Sequence, residues 1–132
     1  MSVIERFNPD TMAQPFSRYS QGVEIPAGAR TIFVAGQVGV RPDGTVPDDM
    51  AAQTAQAFRN IQSVLCAKGM DLEDLVETRT YMTSRDDLPG YRDGRRQVLG
   101  DDGPVPAAAL VFVAGLAQPH WKIEICAVAA KI

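Results

Sequence analysis

Residues 53–82 read QTAQAFRNIQSVLCAKGMDLEDLVETRTYM, and this stretch holds both periods that shape the domain. In its first half Ala55, Phe58, Ile61 and Leu65, with Ala51 just before them, recur at spacings of three and four. That is the apolar stripe of an amphipathic helix. Asp48 or Asp49 is placed to cap its start, and Gly69 to stop it, glycine being the usual residue just past a helix end. From Leu75 the period falls to two. Val76, Thr78, Thr80 and Met82 share one face of a strand, and Glu77, Arg79 and Tyr81 share the other.

Upstream, YSQGVEI (19–25) and TIFVAG (31–36) read as strands around the turn Pro26-Ala27-Gly28-Ala29, and are expected to pair as a hairpin. A further short strand is expected at Val3–Phe7, and RPDGT (41–45) has tight-turn chemistry. Downstream, a second helix is expected from about Pro89 to Leu99, with Pro89 in its first turn. Two strands close the chain, Ala107–Val113 and Lys122–Ala129, joined by a loop containing Gln118-Pro119-His120-Trp121. No repeat or low-complexity tract divides residues 1–132, so one domain is expected. Its class is α+β, a mixed sheet with two helices packed on one face. Leu110 to Val113 offer no face to water, yet two helices cover only one side of a sheet. A closed barrel or a partner subunit would cover the other side, and the partner is favoured.

Composition narrows the function classes. With 45% apolar and 22% charged residues the chain reads as a soluble globular protein. It has no run near the roughly eighteen apolar residues of a membrane span. The opening MSVIERFNPD lacks the apolar core of a secretory signal, so a cytoplasmic location is expected. Cys66 and Cys126 are expected to be small buried hydrophobes in a reducing compartment. His120 is the only histidine, so no bound metal is expected. The net charge is −3 and the longest basic run is Arg95-Arg96, which argues against a nucleic-acid partner.

Few residues stand out as chemistry. A triad would need His120, and no G-x-S-x-G elbow accompanies it. Gly36 and Gly39 are too few for a phosphate loop. Glu124 lies in WKIEICAV, on the face it shares with Lys122, Cys126 and Val128. It reads either as a salt-bridged rim glutamate, the commoner outcome, or as a cleft carboxylate. Arg92, Arg95 and Arg96 fall on one side of the second helix, a pattern more often solvated than functional. In the functional reading one of them reaches an anionic substrate group.

RYSQGV (18–23), FVAGQVG (33–39), residues 53–82 and KIEICAVA (122–129) resemble the RidA/YjgF/UK114 family over essentially the whole chain. The resemblance implies a homotrimer of chorismate-mutase-like subunits with sheets facing inward and clefts between subunits. It also implies hydrolysis of imines and enamines, such as 2-iminoacids and 2-aminoacrylate, without cofactor or metal. By the same resemblance Tyr19 and Glu124 are catalytic, helping to line the pocket and orient the water. Ala35, Gly36 and Gln37 match the S-G-Q stretch that completes the pocket, and Trp121 is expected at its aromatic edge. Pro106-Ala107-Ala108-Ala109 matches the P-A-R-[ST] stretch, so Ala108 stands where the family's carboxylate-gripping arginine would be.

Three consequences of Ala108 are open. The substrate lacks that carboxylate, or Arg92, Arg95 or Arg96 supplies the cation from a new direction, or the cleft binds without catalysis. The leading expectation is a deaminase-like hydrolase acting at subunit interfaces on a small imine or enamine other than the usual 2-iminoacids, because Ala108 replaces the family arginine. The alternative is a non-catalytic small-molecule-binding trimer.

Overall fold

The Asp49 carboxylate accepts a hydrogen bond from the Ala52 amide at 2.9 Å. It thereby starts α1 (Met50–Cys66) in the computed structural model, which describes residues 2–103 and 105–132. The stripe does what its spacing predicts: Ala57, Phe58, Ile61 and Leu65 are buried. The turn that follows passes through Gly69 at φ +77°, a left-handed conformation that favours glycine.

The strands are β1 (Glu5–Phe7), β2 (Gly22–Glu24), β3 (Arg30–Val38), β4 (Leu75–Met82), β5 (Ala107–Phe112) and β6 (Ile123–Lys131). The second helix, α2, spans Leu88–Leu99. Four strands form one sheet in the order β3-β6-β4-β5. β4 and β5 run parallel, while β6 is antiparallel to both neighbours. The parallel pair requires a crossover, and α2 supplies it.

Both helices cover one face, where β6 contributes the buried Ile123, Ile125, Ala127 and Ala129. The bare face carries Glu77, Arg79 and Tyr81 from β4, with Glu124 and Cys126 from β6. Phe33 is 80% exposed and Val111 46% exposed, both on that face. Thus β5 is greasy on two sides because Leu110 and Phe112 pack against the core while Val111 projects the other way.

Three expectations are corrected. The hairpin of residues 19–25 with 31–36 does not form. β2 pairs with β1, and β3 pairs with β6 from Arg30↔Lys131 to Val38↔Glu124. β6 offers β3 a long apolar ladder, whereas β2 keeps only three residues. Tyr19 and Ser20 leave the strand because the Ser20 amide donates to the Pro106 carbonyl at 3.0 Å. Finally, Cys66 is exposed and Cys126 is half-buried, so neither is a core thiol.

Two packing devices fix the site. Gly90 and Gly94 of α2 meet α1 closely: a Cβ on Gly94 would lie 2.7 Å from the Thr54 Cβ. That seam of small residues turns the arginines of α2 away from α1. Gln53 is buried and donates to the carbonyls of Pro47 (2.8 Å) and His120 (3.1 Å). Its oxygen accepts from the Lys122 amide at 2.9 Å. One side chain therefore ties two loops to the start of β6.

Candidate functional site

Below α2, against β4 and β5, lies a cavity of about 470 Å³. Tyr91, Arg92, Arg95 and Arg96 reach it from the helix, the side that the glycine seam leaves free. Arg18 and Tyr19 enter from the segment anchored by Ser20, whose hydroxyl also donates to the Val105 carbonyl. Ala108 and Ala109 form the lining where β5 borders the cavity, Ala108 in register with Thr78. The rest of the lining includes Phe58, Leu99 and Leu110, with Thr78 and Thr80 from β4.

The arginines differ in their surroundings. Arg96 has Asp101 at 3.1 Å and Asp93 at 3.5 Å. Arg18 donates to the Gly103 carbonyl at 2.8 Å. Arg95 is half-buried and makes a long contact, 3.4 Å, to the Arg18 carbonyl. Burial lowers the Arg95 pKa, the Arg18 charge adds to this, and Tyr91 beside it works in the opposite direction. Among the described residues, no carboxylate lies in ion-pair range of Arg92 or Arg95.

Glu124 is elsewhere. It faces the bare side of the sheet, opposite Tyr81 on β4 and Val38 on β3. Among the described residues no cation pairs with it, so the salt-bridged rim glutamate is not found. Its carboxylate occupies space that Gly36 leaves open. Cys126, two residues on, has its thiol pKa raised by burial and by the Glu124 charge, with Arg79 opposing. A shallower hollow of about 310 Å³ on the same face brings Ala107 together with Glu77, Arg79 and Tyr81. Ala35 is exposed, and the half-buried Gln37 donates to its carbonyl at 3.1 Å. Trp121 stacks edge-on against His120, with ring centroids 6.1 Å apart, and is outside both hollows.

The residues singled out from sequence are thus divided between the two faces of the sheet. Tyr19, Arg92, Arg95 and Arg96 share the cavity, Glu124, Ala35, Gly36, Gln37 and Ala107 lie outside its lining, Ala108 borders both hollows, and Trp121 borders neither. Sequence reasoning missed Arg18, Tyr91, Thr78 and Thr80. Tyr91 carried a usable signal, lying four residues before Arg95 on the same helical stripe.

The sequence profile of the Endoribonuclease L-PSP family matches residues 10–131. The chain belongs to this family, the RidA/YjgF family. Among its relatives is a protein of Escherichia coli strain K12 named 2-iminobutanoate/2-iminopropanoate deaminase. That relative is 31% identical over 115 residues, 86% of this chain and 87% of its own. A Dermatophagoides farinae protein of the same name is 30% identical, covering 85% of this chain and 84% of its own. The fold of this RidA/YjgF member matches the Rid-family protein YyfB of Yersinia pestis with a TM-score of 0.81. Identity there is 30%, over 97% of this chain and 98% of that one. It also matches E. coli TdcF, crystallised with bound serine, with a TM-score of 0.73 at 25% identity over the whole of both chains.

Proposed function

We propose that this RidA/YjgF chain is a cytoplasmic hydrolase that deaminates a small imine or enamine in clefts between the subunits of a homotrimer. The observation that carries the proposal is the cavity itself, where Tyr19 and the position of Ala108 meet Arg92 and Arg95. Those two cations have no carboxylate partner among the described residues and are free to hold an anionic substrate. They take over the duty that the family pattern gives to an arginine at position 108.

The chemistry asks little of the protein. An iminium carbon is already electrophilic, so water adds to it, the C–N bond breaks, and ammonia leaves behind a carbonyl. Positioning the reactants supplies much of the acceleration. A carboxylate that accepts a proton from the attacking water adds to it. Glu124 has that role in the proposal. It faces away from its own subunit's cavity, so a neighbouring copy would present it. The exposed Phe33 and Val111 on the same face favour such coverage. The arginines converge on a hollow of metabolite size, not a stripe, which favours a small anion over an RNA backbone.

The separation of Glu124 from the cavity also favours a second reading, a binding trimer without turnover. Ammonia release from imines generated in situ by an amino-acid oxidase separates the two. Turnover lost in Glu124→Gln supports the hydrolase. Ligand binding with no ammonia from any imine, and unchanged affinity in Glu124→Gln, supports the binding protein. Light scattering after size exclusion tests the trimer, and a monomer at micromolar concentration contradicts it.

A further inference from the structure

The chain has ten arginines and three lysines, yet the α2–β5 cavity is lined by four arginines and no lysine. Asp101 is the one acid in its lining among the described residues, giving a formal +3 inside a chain whose net charge is −3. Asp101 and Asp93 already flank Arg96. Among the described residues Arg92 and Arg95 are left without such partners, and Arg95 is half-buried close to Arg18.

This arrangement is costly in the empty protein. Like charges repel, and the half-buried Arg95 loses hydration that the exposed Arg18, Arg92 and Arg96 keep. An arginine does not shed its proton to escape, because its charge persists across the whole working pH range. Relief comes from an anion. A single carboxylate engages one guanidinium fork, which leaves a second unpaired cation in the same hollow. The volume, about 470 Å³, suits a small metabolite and not a polymer. Ala108, Ala109, Leu110 and Phe58 line the space with apolar atoms that suit a short hydrocarbon skeleton.

We infer that this cavity takes a compact metabolite carrying two anionic groups, with Arg92 and Arg95 each gripping one. The inference rests on the proposed function only in taking the cavity as the substrate's place, and it makes the substrate a dianionic imine or enamine. The second anion is a carboxylate or a phosphate, since a guanidinium fork matches both.

The test is calorimetric titration of the full-length protein with 2-oxoglutarate, 3-phosphoglycerate and 2-oxobutanoate. At least one of the two ligands with two anionic groups, the dianion 2-oxoglutarate or the more highly charged 3-phosphoglycerate, is expected to bind about tenfold or more tightly than the monoanion. Preference for 2-oxoglutarate assigns a dicarboxylate, and preference for 3-phosphoglycerate assigns a phosphate. The preference should collapse in Arg92→Ala, an exposed change that leaves the helix intact, and in Arg95→Ala. It should persist in Arg59→Ala on α1. Equal binding of all three anions, binding of none, or a preference that survives loss of both arginines overturns the inference. Dianion-selective binding without ammonia release leaves it standing while removing the hydrolase reading. Ammonia release from 2-iminobutanoate with no dianion preference does the reverse.

Discussion

Gly36 on β3 leaves open the space that the Glu124 side chain on β6 fills: a Cβ at position 36 would lie 2.8 Å from the Glu124 carboxyl carbon. The glycine is not in a left-handed conformation, so alanine fits its backbone and only the carboxylate must move. Gly36→Ala should therefore leave unfolding stability within about 1 kcal/mol of the parent, as surface changes usually do. If Glu124 positions the water, turnover should fall about ten- to a hundredfold, the usual result of a small misplacement. Urea melts and kcat/KM for ammonia release give the two readouts. An undiminished rate in both Gly36→Ala and Glu124→Gln removes Glu124 from the reaction.

Ala108 is exposed where β5 borders the cavity. Ala108→Arg should raise kcat/KM on 2-iminobutanoate about tenfold or more, by adding a bidentate carboxylate contact. The same change should not help a substrate already held by Arg92 and Arg95. A loss on every imine tested would mean that the cavity needs its small floor.

Much of this fold was legible because its elements announce themselves locally. The stripe Ala55-Phe58-Ile61-Leu65 and the alternation Val76-Thr78-Thr80-Met82 each report their own period, and both formed as read. Pairing was less legible. Nothing in Gly22-Val23-Glu24 says that β1 and not β3 will take it, because strand partners are chosen by competition across the whole chain. The site shows the same limit. Helical spacing put Arg92, Arg95 and Arg96 together, but their meeting with Arg18 depends on Ser20 reaching Val105 and Pro106 across the fold. Spacing in WKIEICAV marked Glu124 as a carboxylate among apolar neighbours but favoured a salt bridge, and among the described residues none forms. That it faces away from the cavity holding Tyr19 became legible only with the strand register.

Gln53 is a buried amide that uses one oxygen and one nitrogen on three backbone groups, at 2.8, 3.1 and 2.9 Å. Gln53→Leu keeps most of the volume but strands two carbonyls and an amide in a partly dry place. Each unpaired buried group costs about 1–3 kcal/mol, less where water reaches it. A loss of about 2–4 kcal/mol is expected in urea unfolding. Gln56→Ala, one bond on the surface side of α1, should lose no more than about 0.5–1 kcal/mol.

Gly94 holds α2 against Ala51 and Thr54 of α1, with room for no further carbon. Gly94→Ala gains helix propensity, worth about 1 kcal/mol at most, yet forces the two backbones apart. Overpacking of this kind costs about 1–3 kcal/mol, so the net change should be destabilising. Because α2 carries the arginines, anion affinity should weaken with it. Gly115→Ala, where a Cβ would meet nothing, should alter neither.

The Cys126 thiol reports on the bare face without any substrate. Its pKa is raised first by burial and then by the Glu124 charge, while Arg79 pulls it down. A raised thiol pKa means less thiolate at any given pH, and the thiolate is the nucleophile. In a Cys66→Ser background, which removes the exposed thiol, alkylation by iodoacetamide should be slow at neutral pH. It should climb about tenfold per pH unit until a midpoint above that of an ordinary thiol. Removing the carboxylate's charge in Glu124→Gln should speed the reaction at fixed pH, and Arg79→Ala should slow it. If copies of the chain cover this face, dilution to the point of dissociation should also speed alkylation. A Glu124→Gln protein that reacts more slowly than its parent would show that the carboxylate does not act on this thiol through its charge.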